Sequence, residues 1–310
     1  MRKGKFVPVM LTPFDENGEI DFTALAKLTH YYIEAGATGL FANCLSSEMF
    51  ELGKEERIAV TSFVVEEVAG AIPVFSTGTF CGPLKEQADF CKRIYDTGIT
   101  AVVAITSILA NENDADKTLL SQVAELFSLT GNIRFGFYEC PVPYKRVLSP
   151  LLLKQIVDTN RIVYYKDTSL DLEAVMQKVM LTKAHGSFEL YDAFMVNAVA
   201  SMESGCAGLS CIQGNYFPEM ISWITSNFSN QEYSLQVKQV QQFLTDTMDV
   251  IHNVYPISAK YFLQSRNFPI GLNTRRKVGL FSPEVKTNID QLSYKYDRLR
   301  EQLGIKSMLI

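Results

Sequence analysis

The feature that most limits how this chain can fold is a repeated beat. Short β-branched or aromatic runs alternate with longer stretches of helical period, eight times, at intervals of roughly 25–35 residues. The apolar runs fall at 6–11, 39–42, 73–77, 100–105, 133–138, 162–166, 188–191 and 207–210. Between them, stretches such as 22–35, 54–68, 84–96 and 117–130 carry helical spacing. Gly82-Pro83 and Ser149-Pro150 place prolines at first-turn positions, where the missing N–H loses no hydrogen bond. Strands separated by helices must pair in parallel and be covered by those helices. Eight such units predict an α/β fold of the (β/α)8, or TIM, barrel type. An open doubly wound sheet is the competing arrangement, but it favours a glycine-rich turn after the first strand. Here that turn reads Leu11-Thr12-Pro13-Phe14-Asp15.

After about residue 216 the pattern changes. The stretches 217–227, 232–252, 257–264 and 283–302 all read as helices, with Val237, Val240, Leu244 and Ile251 spaced for one apolar face. Ser282-Pro283-Glu284 is a good helix start. We therefore expect the barrel over 1–226 and additional C-terminal helices over 227–310, packed on it as one structural unit. A length of 310 residues suits a barrel of about 250 residues plus such helices.

Composition narrows the function classes. Apolar residues at 47% and charged residues at 20% describe a globular chain with a large core. A net charge of −5 argues against nucleic acid as a partner, because phosphate binders carry dense basic faces. The basic start Met1-Arg2-Lys3-Gly4-Lys5-Phe6 leads into a strand rather than an apolar leader, and no uninterrupted apolar stretch reaches the ~18 residues of a membrane span. The expectation is a soluble, cytoplasmic protein. Six cysteines are too few for a disulfide scaffold, none forms a Cys-x-x-Cys pair, and His30, His185 and His252 lie far apart. No metal site is expected.

In an eight-stranded barrel, reactive groups sit at the C-terminal strand ends. The sixth strand closes with Tyr164-Tyr165-Lys166-Asp167, and a lysine is costly to bury charged and unpaired. Period-2 alternation puts Lys166 on one face with Ile162 and Tyr164. If that face is the interior, desolvation frees a neutral amine to attack a carbonyl. Alternatively, Lys166 points to solvent or pairs with Asp167. Tyr138 ends the fifth strand 28 residues earlier, about one βα unit, where it is a proton shuttle or a packing residue. Ser46 and Ser47 follow the second strand, where hydroxyl and N–H donors can hold a carboxylate or simply build a turn. Ser210, closing the eighth strand, is the remaining substrate-binding candidate.

Together these segments resemble the dihydrodipicolinate synthase and N-acetylneuraminate lyase family of class I aldolases. Residues 9–21, from Val9-Met10-Leu11-Thr12-Pro13 to Ile20-Asp21, look like the family's first strand and turn. Cys44-Leu45-Ser46-Ser47-Glu48 stands where the family has Gly-[Thr/Ser]-Thr-Gly-Glu, and Leu52-Gly53-Lys54-Glu55-Glu56-Arg57 suits the next helix. Tyr138-Glu139-Cys140-Pro141 is similar to its Tyr-x-x-Pro, and Ile162-Val163-Tyr164-Tyr165-Lys166-Asp167 to its lysine strand. The resemblance implies a Schiff base between Lys166 and pyruvate or another 2-oxo acid, with Tyr138 as proton shuttle. It implies a carboxylate held by Ser46 and nearby N–H groups, including that of Ser47. No cofactor is implied, and the quaternary state implied is a homo-oligomer, a tetramer or dimer.

Departures mark this chain off within the family. In the synthase branch a hydroxyl stands where this chain has Leu45, a second tyrosine falls near Ile108-Leu109, and an arginine for the partner's carboxylate falls near Pro143. Tyr144, Lys145 or Arg146 could replace that arginine. Tyr191-Asp192-Ala193 resembles the Tyr-Asp-Glu of sialic acid lyases, with Ala193 in the glutamate's place. Three readings stay open: a Schiff-base lyase, synthase or dehydratase; a catalytically lapsed member that senses a small molecule; and a barrel enzyme of another chemistry, such as a metal-assisted aldolase, in which Lys166 is structural.

Overall fold

Local chemistry fixes where several helices begin. In the computed structural model, which describes residues 2–307, the Asp21 carboxylate accepts the Ala24 N–H, the Ser149 hydroxyl that of Leu152, and the Ser282 hydroxyl that of Val285. Each satisfies a donor that the first helical turn leaves unpaired. The helices so opened are Phe22–Glu34, Pro150–Val157 and Pro283–Gln302.

Eight strands run in parallel: β1 (Lys5–Phe6), β2 (Leu40–Asn43), β3 (Val74–Thr77), β4 (Ala101–Ile105), β5 (Phe135–Tyr138), β6 (Ile162–Asp167), β7 (Glu189–Asp192) and β8 (Gly208–Leu209). From β2 onward each pairs with its neighbour in sequence, and β8 returns to β1. The ring closes between Val9 and Phe41, where the Phe41 N–H donates to the Pro8 carbonyl and the Met10 N–H to that of Phe41. This is a (β/α)8 TIM barrel. The first strand is shorter than the run 6–11 because its pairing is divided: the Val7 N–H goes to Leu209, the Met10 N–H to Phe41, and Pro8 has none to give.

Aromatic rings fill the barrel. Phe75 stacks on Tyr164 at 4.4 Å between centroids, Tyr191 lies 5.1 Å from Tyr164 on another side, and Phe41 meets Tyr164 edge-on at 5.8 Å. Strict alternation would put Ile162 in this interior with Tyr164 and Lys166. Instead the β5–β6 register slips beside Val163, so Ile162 joins the outer layer between sheet and helices while Tyr164 stays inside. Gly136 on β5 makes room for that ring: a Cβ there would meet Tyr164 side-chain atoms at 2.9 and 3.0 Å. Gly136→Ala is expected to lose about 1–3 kcal/mol of stability through overpacking, read from urea melts.

Beyond the barrel lie the helices Pro218–Asn227, Ser234–Asp246, Met248–His252, Ile257–Ser265 and Pro283–Gln302. The single helix expected over 232–252 is broken at Thr247, whose hydroxyl donates back to the Phe243 carbonyl at 2.8 Å. Phe217 stacks on Tyr296 at 5.5 Å and Arg266 pairs with Asp297 at 2.8 Å, tying these helices together. Among the described residues, no helix is long and apolar enough to cross a membrane.

Candidate active site

A cavity of about 650 Å³ opens at the C-terminal strand ends, walled by Lys166, Tyr138, Ser46, Thr168 and Phe194 among others. Lys166 is 4% exposed. Alternation sends Asp167 to the outer side of the sheet, where its carboxylate meets Lys178 at 2.6 Å, so Lys166 neither reaches bulk water nor pairs with its neighbour. Burial lowers the Lys166 pKa; the thiols of Cys44, Cys211 and Cys140 and the Asp192 carboxylate only partly oppose that fall.

Tyr138 stands directly opposite Lys166 in the β5–β6 ladder, and the lysine Nζ lies 4.6 Å from its ring centroid. Burial raises the Tyr138 pKa well above that of a free phenol, so the hydroxyl keeps its proton. Its ring leans edge-on against Phe41. Asp192, at the end of β7, is pushed up to about 7, chiefly by burial. One of its oxygens accepts the Phe194 N–H, and the other is buried without a partner among the described residues.

The serines separate. Ser46 is on the cavity wall beside the Tyr255 phenol. Ser47 is not: its buried hydroxyl lies 2.7 Å from the Met10 carbonyl and 2.9 Å from that of Ala42, and its N–H donates to Cys44. Those carbonyls need a donor inside the turn, and Ser47 supplies it. Ser210 is likewise off the wall, buried with its hydroxyl 2.9 Å from that of Tyr164, where it caps the aromatic filling.

The positions that depart from the family pattern also sort out. Leu45 and Ala193 face the cavity, whereas Leu109 is buried outside its wall. The Tyr144 hydroxyl donates to the Ala110 carbonyl, and the Arg146 guanidinium is bound to the Asn111 and Asp114 carbonyls and the Asp116 carboxylate. Only Lys145 of these three reaches the cavity.

Sequence reasoning missed the far wall. Met248 comes from a C-terminal helix, and Tyr255 and Arg276 from the connections between those helices. The Tyr255 oxygen accepts the Asn215 amide at 2.5 Å, and that amide also donates to the Val9 carbonyl at 2.8 Å. No local pattern marks Tyr255, because its approach is set by packing between helices. Also unforeseen is a buried ionic triad outside the barrel. Lys178, on the helix Leu172–Thr182, binds Glu139 at 2.9 Å and Asp167 at 2.6 Å, all three with fully buried side chains. Glu139 also accepts the Leu148 and Thr168 N–H groups and the Tyr165 hydroxyl. Among the described residues, no group of three or more His, Cys, Asp or Glu side chains is arranged to hold a metal ion.

A parallel barrel with its cavity at the strand ends defines the class, and the comparisons with known proteins give the chemistry: a lyase on a (β/α)8 scaffold. The model of the dihydrodipicolinate synthetase family matches residues 3–293, and the chain belongs to that family. It is 26% identical over 275 residues to 4-hydroxy-tetrahydrodipicolinate synthase of Oceanobacillus iheyensis, covering 87% of this chain and 90% of the relative. Among solved structures, dihydrodipicolinate synthase DapA-2 of Bacillus anthracis superposes with a TM-score of 0.84 at 20% identity, covering 95% of this chain and 98% of that one. YagE of Escherichia coli K12, solved in complex with pyruvate, gives 0.83 at 19% identity, covering 96% and 98%.

Proposed function

We propose that this lyase works through a Schiff base on Lys166 with pyruvate or another 2-oxo acid. The single observation that carries the reading is the Lys166 amine on the cavity wall at the end of β6, 4% exposed and without an ion pair among the described residues, where burial lowers its pKa. The neutral amine attacks the ketone carbon, and the carbinolamine loses its oxygen as water to leave an iminium. That cation draws electrons from the C3 substituent, so a C3–C or C3–H bond breaks to give an enamine. Tyr138 hands its proton to the departing oxygen and recovers one from the reacting centre. Ser46 holds the carboxylate together with Tyr255, whose oxygen accepts from Asn215 and leaves the phenol's own proton to donate. Holding the acid there presents its carbonyl to the amine, a positioning effect of several kcal/mol. Pyruvate bound to the YagE relative supports the choice of acid. Aldol cleavage, condensation and dehydration share this enamine, and the apolar Leu45 and Ala193 on the wall argue for a partner other than those of the lysine-pathway synthases or sialic acid lyases.

Borohydride added with pyruvate is expected to fix a stable mass on Lys166, located by peptide mass spectrometry. Pyruvate that raises the melting temperature without any adduct would instead identify a binding protein. The trapping rate should climb with pH as the amine loses its proton. Because burial lowers this pKa, the plateau should arrive below the ~10.4 of a water-exposed lysine.

A further inference from the structure

We infer that Arg276 reads a second anionic group on the substrate, so that the 2-oxo acids this site prefers are dianions. The inference deepens the lysine reading and rests on it for the position of the first carboxylate. Ser46 and Tyr255 already provide hydroxyl donors for that one. Yet two further cationic side chains, Arg276 and Lys145, line the same cavity, against one acid, Asp249, on a chain whose net charge is −5.

Two neighbouring arginines differ sharply in what they hold. The Arg275 guanidinium is committed, to Glu56 at 2.8 Å and to the Gly18 carbonyl at 2.9 Å. Arg276 has no hydrogen-bond or ion-pair partner for its guanidinium among the described residues. Glu51 feels its charge but closes no ion pair with it, and Glu51 keeps a buried oxygen without a partner. An unpaired planar fork on a cavity wall is the group that binds a carboxylate in two parallel hydrogen bonds.

The backbone under Arg276 is held by buried charge. One oxygen of Glu48 accepts the N–H groups of both Arg275 and Arg276, at 2.7 and 2.8 Å. Its other oxygen meets the Lys260 amine at 3.0 Å, and that amine also donates to the Asn273 carbonyl at 2.6 Å. Glu48 is fully buried and sits at φ 59, in the left-handed region that a non-glycine residue enters at a cost. Glu48 follows Ser46 and Ser47 directly, so one carboxylate fixes both the loop that holds the first anion and the segment that bears Arg276. The backbone beneath the cation is thus fixed before binding, and only the side-chain torsions of Arg276 remain to be ordered when the ligand arrives.

The test compares 2-oxoglutarate with 2-oxohexanoate, which differ in the distal carboxylate, by the half-saturation of borohydride trapping on Lys166. In the wild type, 2-oxoglutarate is expected to half-saturate at a concentration at least tenfold lower. In Arg276→Met the two should come within about threefold, and Arg276→Lys should restore part of the gap, since charged hydrogen bonds of this kind carry tenfold or more in affinity. Thermal shift supplies a readout that needs no imine: 2-oxoglutarate should raise the wild-type melting temperature more than 2-oxohexanoate, and equally little in Arg276→Met. A preference for the diacid that survives Arg276→Met overturns the inference, as does a wild type with no preference by either readout. Absence of any adduct with pyruvate strikes at the lysine reading alone, and the thermal shift then still decides on Arg276.

Discussion

Lys166→Ala is expected to abolish enamine chemistry while leaving the fold intact. Pyruvate in deuterated water offers a measurement that needs no second substrate, because each enamine formed and reprotonated exchanges a methyl proton. The wild type should exchange the methyl group, followed by proton NMR, and Lys166→Ala should exchange it about 10⁴-fold more slowly, the scale of removing a covalent nucleophile. Its melting temperature should not fall. The amine is 4% exposed, lacks an ion pair among the described residues and has its charged form disfavoured by burial, so its removal relieves a desolvation penalty. Exchange by the alanine variant within tenfold of the wild type would move the chemistry to another group.

The largest expected loss of stability comes from Lys178→Met. This substitution leaves Glu139 and Asp167 buried side by side without their shared cation. Removing one partner of such a network costs about 3–5 kcal/mol, far more than cutting any surface pair of this protein. The sign of the pH dependence follows from Glu139, whose pKa is raised by burial first and by Asp167 second, with Lys178 opposing both. Without the lysine, folding must take up protons, so the variant gains stability relative to wild type as pH falls. Urea melts should show the gap narrowing between pH 8 and pH 5. A combined Lys178→Met, Glu139→Gln, Asp167→Asn variant should recover much of the loss, because it removes the stranded charges as well.

Where a signal is periodic and local, the sequence carried it. The helices Lys54–Val68 and Pro283–Gln302 occupy the spans their apolar spacing and first-turn chemistry predict. Lys166 and Tyr138 were legible because strand order and a one-unit spacing place them on adjacent strand ends, which the β5–β6 pairing shows. What could not be read depends on partners distant along the chain. Ser47 looks like an anion donor until the Met10 and Ala42 carbonyls are seen around it. Lys178 belongs to an ordinary amphipathic helix until Glu139 and Asp167 come within reach. The slip beside Val163 that turns Ile162 outward leaves no mark in a run of apolar residues, since both sheet faces are buried.

The Glu48 contacts join positions 227 and 228 residues apart. Protein synthesis proceeds from the N-terminus, so all eight strands exist before the stretch that Glu48 must grip has been made. At that point Lys260, Arg275 and Arg276, which meet the Glu48 carboxylate in the finished chain, are still missing. A chain that stops shortly after β8 therefore lacks both the groups that answer Glu48 and the Tyr255 and Arg276 side of the cavity.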